Sequence, residues 1–316
     1  MASLVYHAGA LGDFITALPA VGVWRRLHQG ERTVLLGAPG FAELALPPFD
    51  ETWDARGAPL AALFAAEPGP MPGLAERFRQ FDSALLFSPS ASPLAHNLGS
   101  LGVREILRQD PFPSGRIPVV DYHLSLFPAA VIREEDKFPA IRASARRPAE
   151  RADATVALHH GSGSPAKNWP VERFVELARS LKGDGETVAW IIGPVEEPET
   201  VPGIAEGGLP SGARALAWRG LGLPDLAAAI AGCKLYVGND SGVTHLAAAC
   251  GCPTVALFGA SDPAVWAPRG PAVSVVLSRH SGMNGMRVRD VLRICRRMLG
   301  RQVSSTHTGM PEASGV

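Results

Sequence analysis

The sequence predicts an α/β protein built from two domains, each containing a parallel β-sheet. The chain has 316 residues, which is enough for two domains of ordinary size. Short apolar strand patterns alternate with helical patterns along it, as is typical of parallel sheets. Near the middle, residues 139–153 are rich in proline and charged residues, a composition typical of a linker.

The strand and helix patterns fall into two series of similar size. The first contains predicted strands at 4–7, 33–36 and 83–87 and a helix at 14–27. The second contains predicted strands at 155–159, 188–192, 234–237 and 254–258, with helices at 171–181, 223–231 and 243–250. We therefore predict an N-terminal domain at residues 1–148, a C-terminal domain at 149–300 and a disordered tail at 301–316.

Composition excludes several classes of protein. Apolar residues make up 46% of the chain and charged residues 19%, a balance typical of a globular protein. The formal net charge is zero, so we expect no nucleic-acid partner. The first residues lack the basic region of a signal peptide, and no apolar run approaches the roughly 18 residues of a membrane span. We therefore expect a cytoplasmic protein with at most a peripheral membrane contact.

The cysteines and the last helix have simple structural interpretations. Cys250 and Cys252 are spaced for neither a zinc ribbon nor a thioredoxin motif, and their apolar surroundings indicate core residues. The last predicted helix, residues 288–299, has one apolar face and several arginines elsewhere. It is either a docked helix with a solvated basic face or a helix attracted to an anionic membrane.

The segment after the strand at 155–159 has the features of a phosphate-binding loop. Small residues follow the strand and precede a helix, so backbone N–H groups and the helix N-terminus can approach an anion. Lys167 adds a mobile positive charge. The Gly-Lys-Ser/Thr of a Walker A loop is missing, and a glycine turn with a surface lysine fits the same pattern.

A second strand–turn–helix segment follows the strand at 234–237. Ser241 and Gly242 can present N–H groups to a phosphate at the start of the helix. Asp240 and His245 lie close by in the sequence and can face the same cleft. A helix-capping aspartate with a core histidine is the alternative interpretation.

Five segments, taken in order, are similar to glycosyltransferase family 9, which contains the bacterial ADP-heptose:lipopolysaccharide heptosyltransferases. They are GALGD at 9–13, GSGSPAKNWP at 161–170, GPVE at 193–196, NDSGVTHLAAA at 239–249 and LFGASDP at 257–263. The resemblance runs from about residue 4 to about residue 270, and the fourth segment is the most specific. It implies the GT-B architecture, in which two Rossmann-like domains face each other across a cleft, and a last helix that crosses back to the first domain.

The resemblance implies an inverting, metal-independent transfer of heptose from ADP-heptose to a lipid-linked glycan of the lipopolysaccharide core. No cofactor is implied, and the enzyme would work at the cytoplasmic face of the inner membrane. Asp13 matches the general base, and Lys167 matches the lysine that neutralises the donor diphosphate. The other implied donor-binding residues are Ser162, Gly163 and Ser164 at the phosphates, Glu196 at the ribose, Asp240 at the sugar, and Ser241, Gly242 and His245 at the phosphates. The adenine base of the donor would lie near residues 220–223.

This chain also departs from the family pattern. His7 stands where many members have arginine, His160 stands where many have proline, and Ser241 replaces a commoner threonine. The first two differences leave the acceptor and the shape of the loop open. The chain contains no Asp-x-Asp pair of the kind that holds a divalent ion in metal-dependent transferases.

Three other functions would place different demands on the sequence. A nicotinamide-dependent dehydrogenase would need G-x-G-x-x-G after a strand, and residues 9–13 do not fit that pattern. A non-catalytic nucleotide-sugar-binding protein has no need for a carboxylate such as Asp13 on the opposite domain. A transferase of the same fold that uses another nucleotide sugar stays open.

Overall fold

The computed structural model describes residues 1–45, 49–143, 154–193, 216–279 and 282–301. These residues form two α/β units, each with one parallel sheet. The predicted boundary at 148/149, Glu196 and residues 302–316 lie outside the described residues.

The first sheet has five parallel strands in the order β3-β2-β1-β4-β5. They are β1 (Ala2–His7), β2 (Arg32–Gly37), β3 (Glu51–Asp54), β4 (Phe81–Phe87) and β5 (Glu105–Gln109). The helices are α1 (Leu11–Leu27), α2 (Pro39–Ala42), α3 (Pro72–Phe78), α4 (Leu94–Ser100) and α5 (Val119–Leu124). The strand order reverses between β1 and β4, so a crevice opens beyond the carboxyl end of β1, where residues 8–13 begin.

The second sheet has six strands in the order β11-β10-β9-β6-β7-β8, and its paired strands are parallel. They are β6 (Val156–His159), β7 (Val188–Ile192), β8 (Leu216–Arg219), β9 (Leu235–Asn239), β10 (Thr254–Phe258) and β11 (Val273–Leu277). The helices are α6 (Val171–Gly183), α7 (Leu223–Ala231), α8 (Gly242–Ala249), α9 (Pro263–Trp266) and α10 (Val288–Met298). Here the order reverses between β6 and β9, and both predicted phosphate-binding segments follow these two strands.

Helices α1 and α8 join the two units. Phe14 and Trp24 of α1 and Leu246 of α8 belong to one continuous cluster of buried apolar side chains. The helices approach most closely at Gly12 and Gly242, where a Cβ on Gly242 would lie 2.9 Å from the Gly12 nitrogen. Because a side chain at position 242 would press against the backbone of α1, Gly242 allows the beginnings of α1 and α8 to lie together at the cleft.

The last helix stays with the second sheet, so the prediction that it crosses back to the first domain is wrong. Its apolar residues Val291 and Cys295 are buried in the same cluster as Phe174 and Leu177 of α6. Arg296 donates through Nε to Asp184 at the end of α6, at 2.8 Å. The apolar face of α10 is therefore covered by α6 and its own sheet.

The cysteines are core residues, as predicted. Cys233, Cys252 and Cys295 are buried, and the partly buried Cys250 packs against the core cluster that joins the two units. Burial raises the pKa of the Cys250 thiol to about 12, so this thiol stays protonated. In the part of the chain that the structure describes, no helix has both the length and the apolar character to cross a bilayer.

Candidate active site

Asp13 lies in the first turn of α1, which begins at Leu11 rather than at residue 14 as predicted. Its Oδ2 accepts a hydrogen bond from the backbone nitrogen of Ala10 at 3.0 Å. A Cβ on Gly9 would lie 2.9 Å from the same oxygen, so only glycine leaves space for this carboxylate. Asp13 therefore caps its own helix and also lines the cleft.

Charged groups of the second domain influence the pKa of Asp13. Burial raises the pKa of Asp13, and the Ala10 hydrogen bond partly opposes this rise. Lys167 also lowers the pKa, whereas Asp240 raises it, and both of these groups belong to the second domain. The carboxyl group therefore accepts a proton more readily than an ordinary aspartate does, a property suited to a general base.

The loop between β6 and α6 is braced by Ser162. Its Oγ lies 2.7 Å from both Ser164 O and Asn168 Oδ1, and it accepts from Ser164 N at 3.2 Å. The cavity is lined by Gly163, Ser164 and Lys167 from this loop, and Ser162 is not among its lining residues. Ser162 thus shapes the loop from within, whereas Gly163 and Ser164 face the cleft.

Lys167, Asp240 and Ser261 form a connected polar group on the floor of the cleft. Lys167 Nζ donates to Asp240 Oδ2 at 2.7 Å, and Ser261 Oγ donates to the same oxygen at 2.6 Å. Asp240 is only 7% exposed, so these two donors compensate a nearly buried charge. The ammonium group has three donors, so it can hold Asp240 and also contact an anion in the cleft.

Asn239 holds this loop in place and was not predicted from the sequence. Its side chain is fully buried at the end of β9; Oδ1 accepts from Trp169 N at 3.0 Å and Nδ2 donates to His160 O at 2.6 Å. Both ends of the loop that carries Lys167 are therefore tied to the strand that precedes Asp240. The sequence feature that could have indicated this role is a polar residue at the end of an otherwise apolar strand.

We expect Asn239→Ala to weaken the binding of a nucleoside diphosphate and to destabilise the fold by about 2–4 kcal/mol, because it leaves a buried N–H and a buried C=O unpaired. Asn97 offers a matched control. It is equally buried, and its Nδ2 donates to the backbone oxygens of Leu63 and Ala65, both at 3.0 Å. Calorimetry with ADP should show weaker binding only in the Asn239 variant, and equal affinity in both variants would contradict the role of Asn239.

The start of α8 completes the floor of the site. Ser241 precedes the helix, Gly242 begins it, and both line the cavity with Lys167, so N–H groups that lack an intrahelical partner are available there. His245 follows on the next turn and is buried, and this burial lowers its pKa. The ring is therefore neutral near pH 7 and can meet a phosphate by donating a hydrogen bond, without adding positive charge.

His7, at the end of β1, is also neutral. Its ring packs against Phe14 and Phe87, with centroids 5.4 and 5.9 Å away. Burial and the neighbouring His123 lower the pKa of His7 to about 3. The end of β1 therefore lacks the positive charge that an arginine would place there.

Two neighbouring cavities open at this cleft. The larger, of about 610 Å³, lies between the domains. It is lined by Ala10, Gly12, Asp13, Thr16, Phe112, Gly163, Ser164, Lys167, Asp240, Ser241, Gly242, His245, Ala260, Ser261 and Trp266. The smaller, of about 410 Å³, lies at the carboxyl ends of β1, β2 and β3 and includes Asp54 and Arg56. Gly9 lines the smaller cavity and Ala10 lines both, so they meet beside Asp13.

The structure thus brings together most of the predicted site residues. Eight of the ten residues predicted from the sequence, His245 among them, line the larger cavity. Ser162 braces the loop, and Glu196 lies outside the described residues. Within the described ranges, no group of three His, Cys, Asp or Glu side chains is arranged to hold a metal ion.

Comparison of the chain with models of protein families shows which family it belongs to. The model described as "Glycosyltransferase family 9 (heptosyltransferase)" matches residues 122–292, more than half of the 316-residue chain. The chain belongs to glycosyltransferase family 9. This membership sets aside the dehydrogenase alternative and confirms the resemblance noted in the sequence.

Individual relatives of this family 9 glycosyltransferase match a shorter segment. The lipopolysaccharide heptosyltransferase 2 of Salmonella typhimurium is 39% identical over 102 residues, which cover 31% of this chain and 29% of the relative. The alignment therefore spans less than a third of that curated protein.

Solved structures match nearly the whole fold. A family 9 glycosyl transferase from Veillonella parvula has a TM-score of 0.74 at 18% identity and covers 94% of this chain and 96% of its own. An Escherichia coli heptosyltransferase solved with ADP has a TM-score of 0.70 at 19% identity and covers 94% and 100%. These similarities confirm the two-domain GT-B architecture of the family 9 chain.

Proposed function

We propose that this protein transfers a heptose from ADP-heptose to a hydroxyl group of a lipopolysaccharide core acceptor, with inversion at the anomeric carbon and without a metal ion. The observation that carries the proposal is the placement of Asp13 on one domain and the Lys167–Asp240 pair on the other, around a single cavity of about 610 Å³. A base and an anion site on opposite walls suit displacement across the cleft.

In the proposed reaction, the acceptor oxygen attacks the anomeric carbon from the side opposite the diphosphate. The new bond to carbon forms as the bond between carbon and the diphosphate oxygen breaks, and Asp13 receives the hydroxyl proton. Lys167 and the N–H groups at the start of α8 stabilise the charge that develops on the departing ADP. Asp240 orients Lys167 through their 2.7 Å bond and offers its carboxylate to a sugar hydroxyl.

The smaller cavity is the proposed acceptor side. It adjoins Asp13 through Gly9 and Ala10 and contains Arg56, whose guanidinium can contact an anionic glycan. We assign residues 1–148 to the acceptor and residues 149–300 to the donor, with Glu196 as a proposed ribose ligand. The lipid-linked acceptor implies peripheral contact with the cytoplasmic face of the inner membrane.

The choice of ADP-heptose is supported by the family description and by the neighbouring structure solved with ADP. A panel of ADP-, UDP- and GDP-linked sugars tests it through thermal stabilisation of the purified protein. A donor at 100 times its Kd should add about 2.7 kcal/mol of stability. Stabilisation by a UDP- or GDP-sugar alone would favour the alternative donor. Stabilisation by ADP-heptose without transfer to any glycan acceptor would favour a binding protein.

Transfer should persist at full rate in excess chelator, because Lys167 and backbone N–H groups neutralise the leaving group. The measurement is ADP release from ADP-heptose in the presence of acceptor, with and without EDTA. A metal-dependent glycosyltransferase assayed in parallel provides the control. Loss of activity in EDTA that is restored by magnesium, manganese or iron would overturn the metal-free mechanism.

A further inference from the structure

Two aromatic side chains stand on opposite sides of the cleft and line the larger cavity. Phe112 belongs to the segment 110–118, between β5 and α5 of the first domain, and Trp266 ends α9 of the second domain. Their ring centroids are 5.7 Å apart and the rings meet edge to face at 70°. Neither residue belongs to the site predicted from the sequence.

The position of Trp266 relative to the strands of the second sheet indicates which part of the donor the pair meets. The loop after β10 carries Ser261, which bonds Asp240, and leads into α9 and Trp266. On the other side of β9 lie β6, β7 and β8. Residues 220–222, which follow β8, are not among the residues that line the cavity. The end of β10, which leads to Trp266, lies four strands from the end of β8, about 19 Å at ordinary strand spacing.

In the proposed reaction, the sugar shares this cavity with the diphosphate. The proposal places its anomeric carbon between the diphosphate at Lys167 and the acceptor hydroxyl at Asp13, and both of these residues line the same cavity as the aromatic pair. The rest of the lining consists mainly of charged, hydroxyl and glycine residues. Phe112 and Trp266 are therefore the large apolar surfaces that the sugar meets.

Exposure of Phe112 supports a contact with a ligand. Phe112 is 52% exposed although its ring already touches Trp266, and it lines the cavity, so apolar area of this residue is open to a ligand. Covering that area with the carbon-bound hydrogens of a sugar face removes it from water. An aromatic ring matches such a face in shape and leaves the hydroxyl groups at the rim for polar partners such as Asp240.

We propose that Phe112 and Trp266 form an aromatic wall that packs against the apolar face of the transferred sugar and selects for it. The inference rests on the proposed function. Because one ring comes from each domain, the bound sugar also links the two domains at the mouth of the cleft. A second contact joins the same segments: Arg116 Nε donates to Asp262 Oδ2 at 2.6 Å, with side chains 75% and 39% exposed.

The test compares ADP with ADP-heptose by calorimetry on four variants. Phe112→Ala and Trp266→Ala each remove one ring of the wall. Arg116→Ala removes the exposed ion pair between the same segments, and Phe138→Ala removes a phenylalanine of similar exposure, 51%, that is not among the cavity-lining residues. We expect each wall variant to bind ADP as the wild type does and to bind ADP-heptose roughly 10-fold more weakly. Both controls should bind both ligands normally.

Three results would overturn the wall. The first is unchanged affinity for ADP-heptose in both wall variants. The second is a loss of ADP affinity in the wall variants as large as their loss of ADP-heptose affinity. The third is a loss of ADP-heptose affinity in Arg116→Ala as large as that in the wall variants. The last would show that only docking of segment 110–118 matters. A wild-type protein that binds neither ADP nor ADP-heptose would overturn the proposed function itself, so the two failures are distinguishable.

Discussion

Asp13→Asn should lower turnover by roughly 10²–10⁴, the usual effect of losing a general base, or about 3–5 kcal/mol of barrier. The asparagine oxygen can still accept the Ala10 hydrogen bond that Asp13 Oδ2 accepts at 3.0 Å, so the start of α1 should keep its cap. Folding and ADP affinity should therefore stay close to those of the wild type. Steady-state kinetics with ADP-heptose and acceptor, together with calorimetry, measure both properties.

The pH dependence distinguishes a base from a cap. Burial raises the pKa of Asp13, and only the ionised carboxylate can take the proton. Activity should therefore fall as the pH is lowered, with a midpoint above the pKa of an ordinary aspartate. This loss at acid pH should be absent from the residual activity of the Asn variant. Asp290→Asn is the matched control, since Asp290 occupies the same first-turn position in α10. Near-normal turnover in Asp13→Asn would reduce Asp13 to a cap.

Lys167→Ala should lower turnover roughly 10²-fold and weaken donor binding, because its contact with the diphosphate strengthens as the leaving group gains charge. The substitution also leaves Asp240, which is 7% exposed, with a less compensated charge. His245→Ala should act in the same direction more mildly, since the neutral ring donates only a hydrogen bond.

The control for this second prediction is Lys137→Ala. Lys137 forms an ion pair of equal length with Glu134, at 2.7 Å, on the first domain. The Lys137→Ala substitution should leave the kinetics unchanged, because exposed ion pairs contribute little to stability. If Lys167→Ala and His245→Ala both bind the donor and turn over normally, the diphosphate site lies elsewhere.

Much of the site follows from the sequence because its residues come directly after strands. Asp13 follows β1, Lys167 lies in the loop after β6, and Asp240 follows β9. Since the carboxyl ends of parallel strands share one edge of a sheet, such residues converge without any knowledge of distant contacts. Strand limits at 188–192 and 254–258 were also predicted correctly from uninterrupted apolar runs.

The remaining features depend on contacts between distant parts of the chain. The glycines at 9–13 predict a turn before a helix at residue 14, yet α1 begins at Leu11 and Gly12 lies against Gly242 of the other domain. The Phe112–Trp266 contact likewise arises only when the domains meet. By analogy with the GT-B fold, α10 was predicted to cross to the first domain. Here it stays with the second domain, where Val291 is buried beside α6.

A crystal structure of the protein with ADP would show where the diphosphate binds. We expect the diphosphate in the larger cavity, with phosphate oxygens within hydrogen-bonding distance of Lys167 Nζ and of the backbone N–H groups at Ser241 and Gly242. The adenosine should extend away from Trp266, toward residues 220–223. ADP bound instead in the smaller cavity beside Asp54 and Arg56, or with its phosphates remote from Lys167, would contradict the proposed donor site.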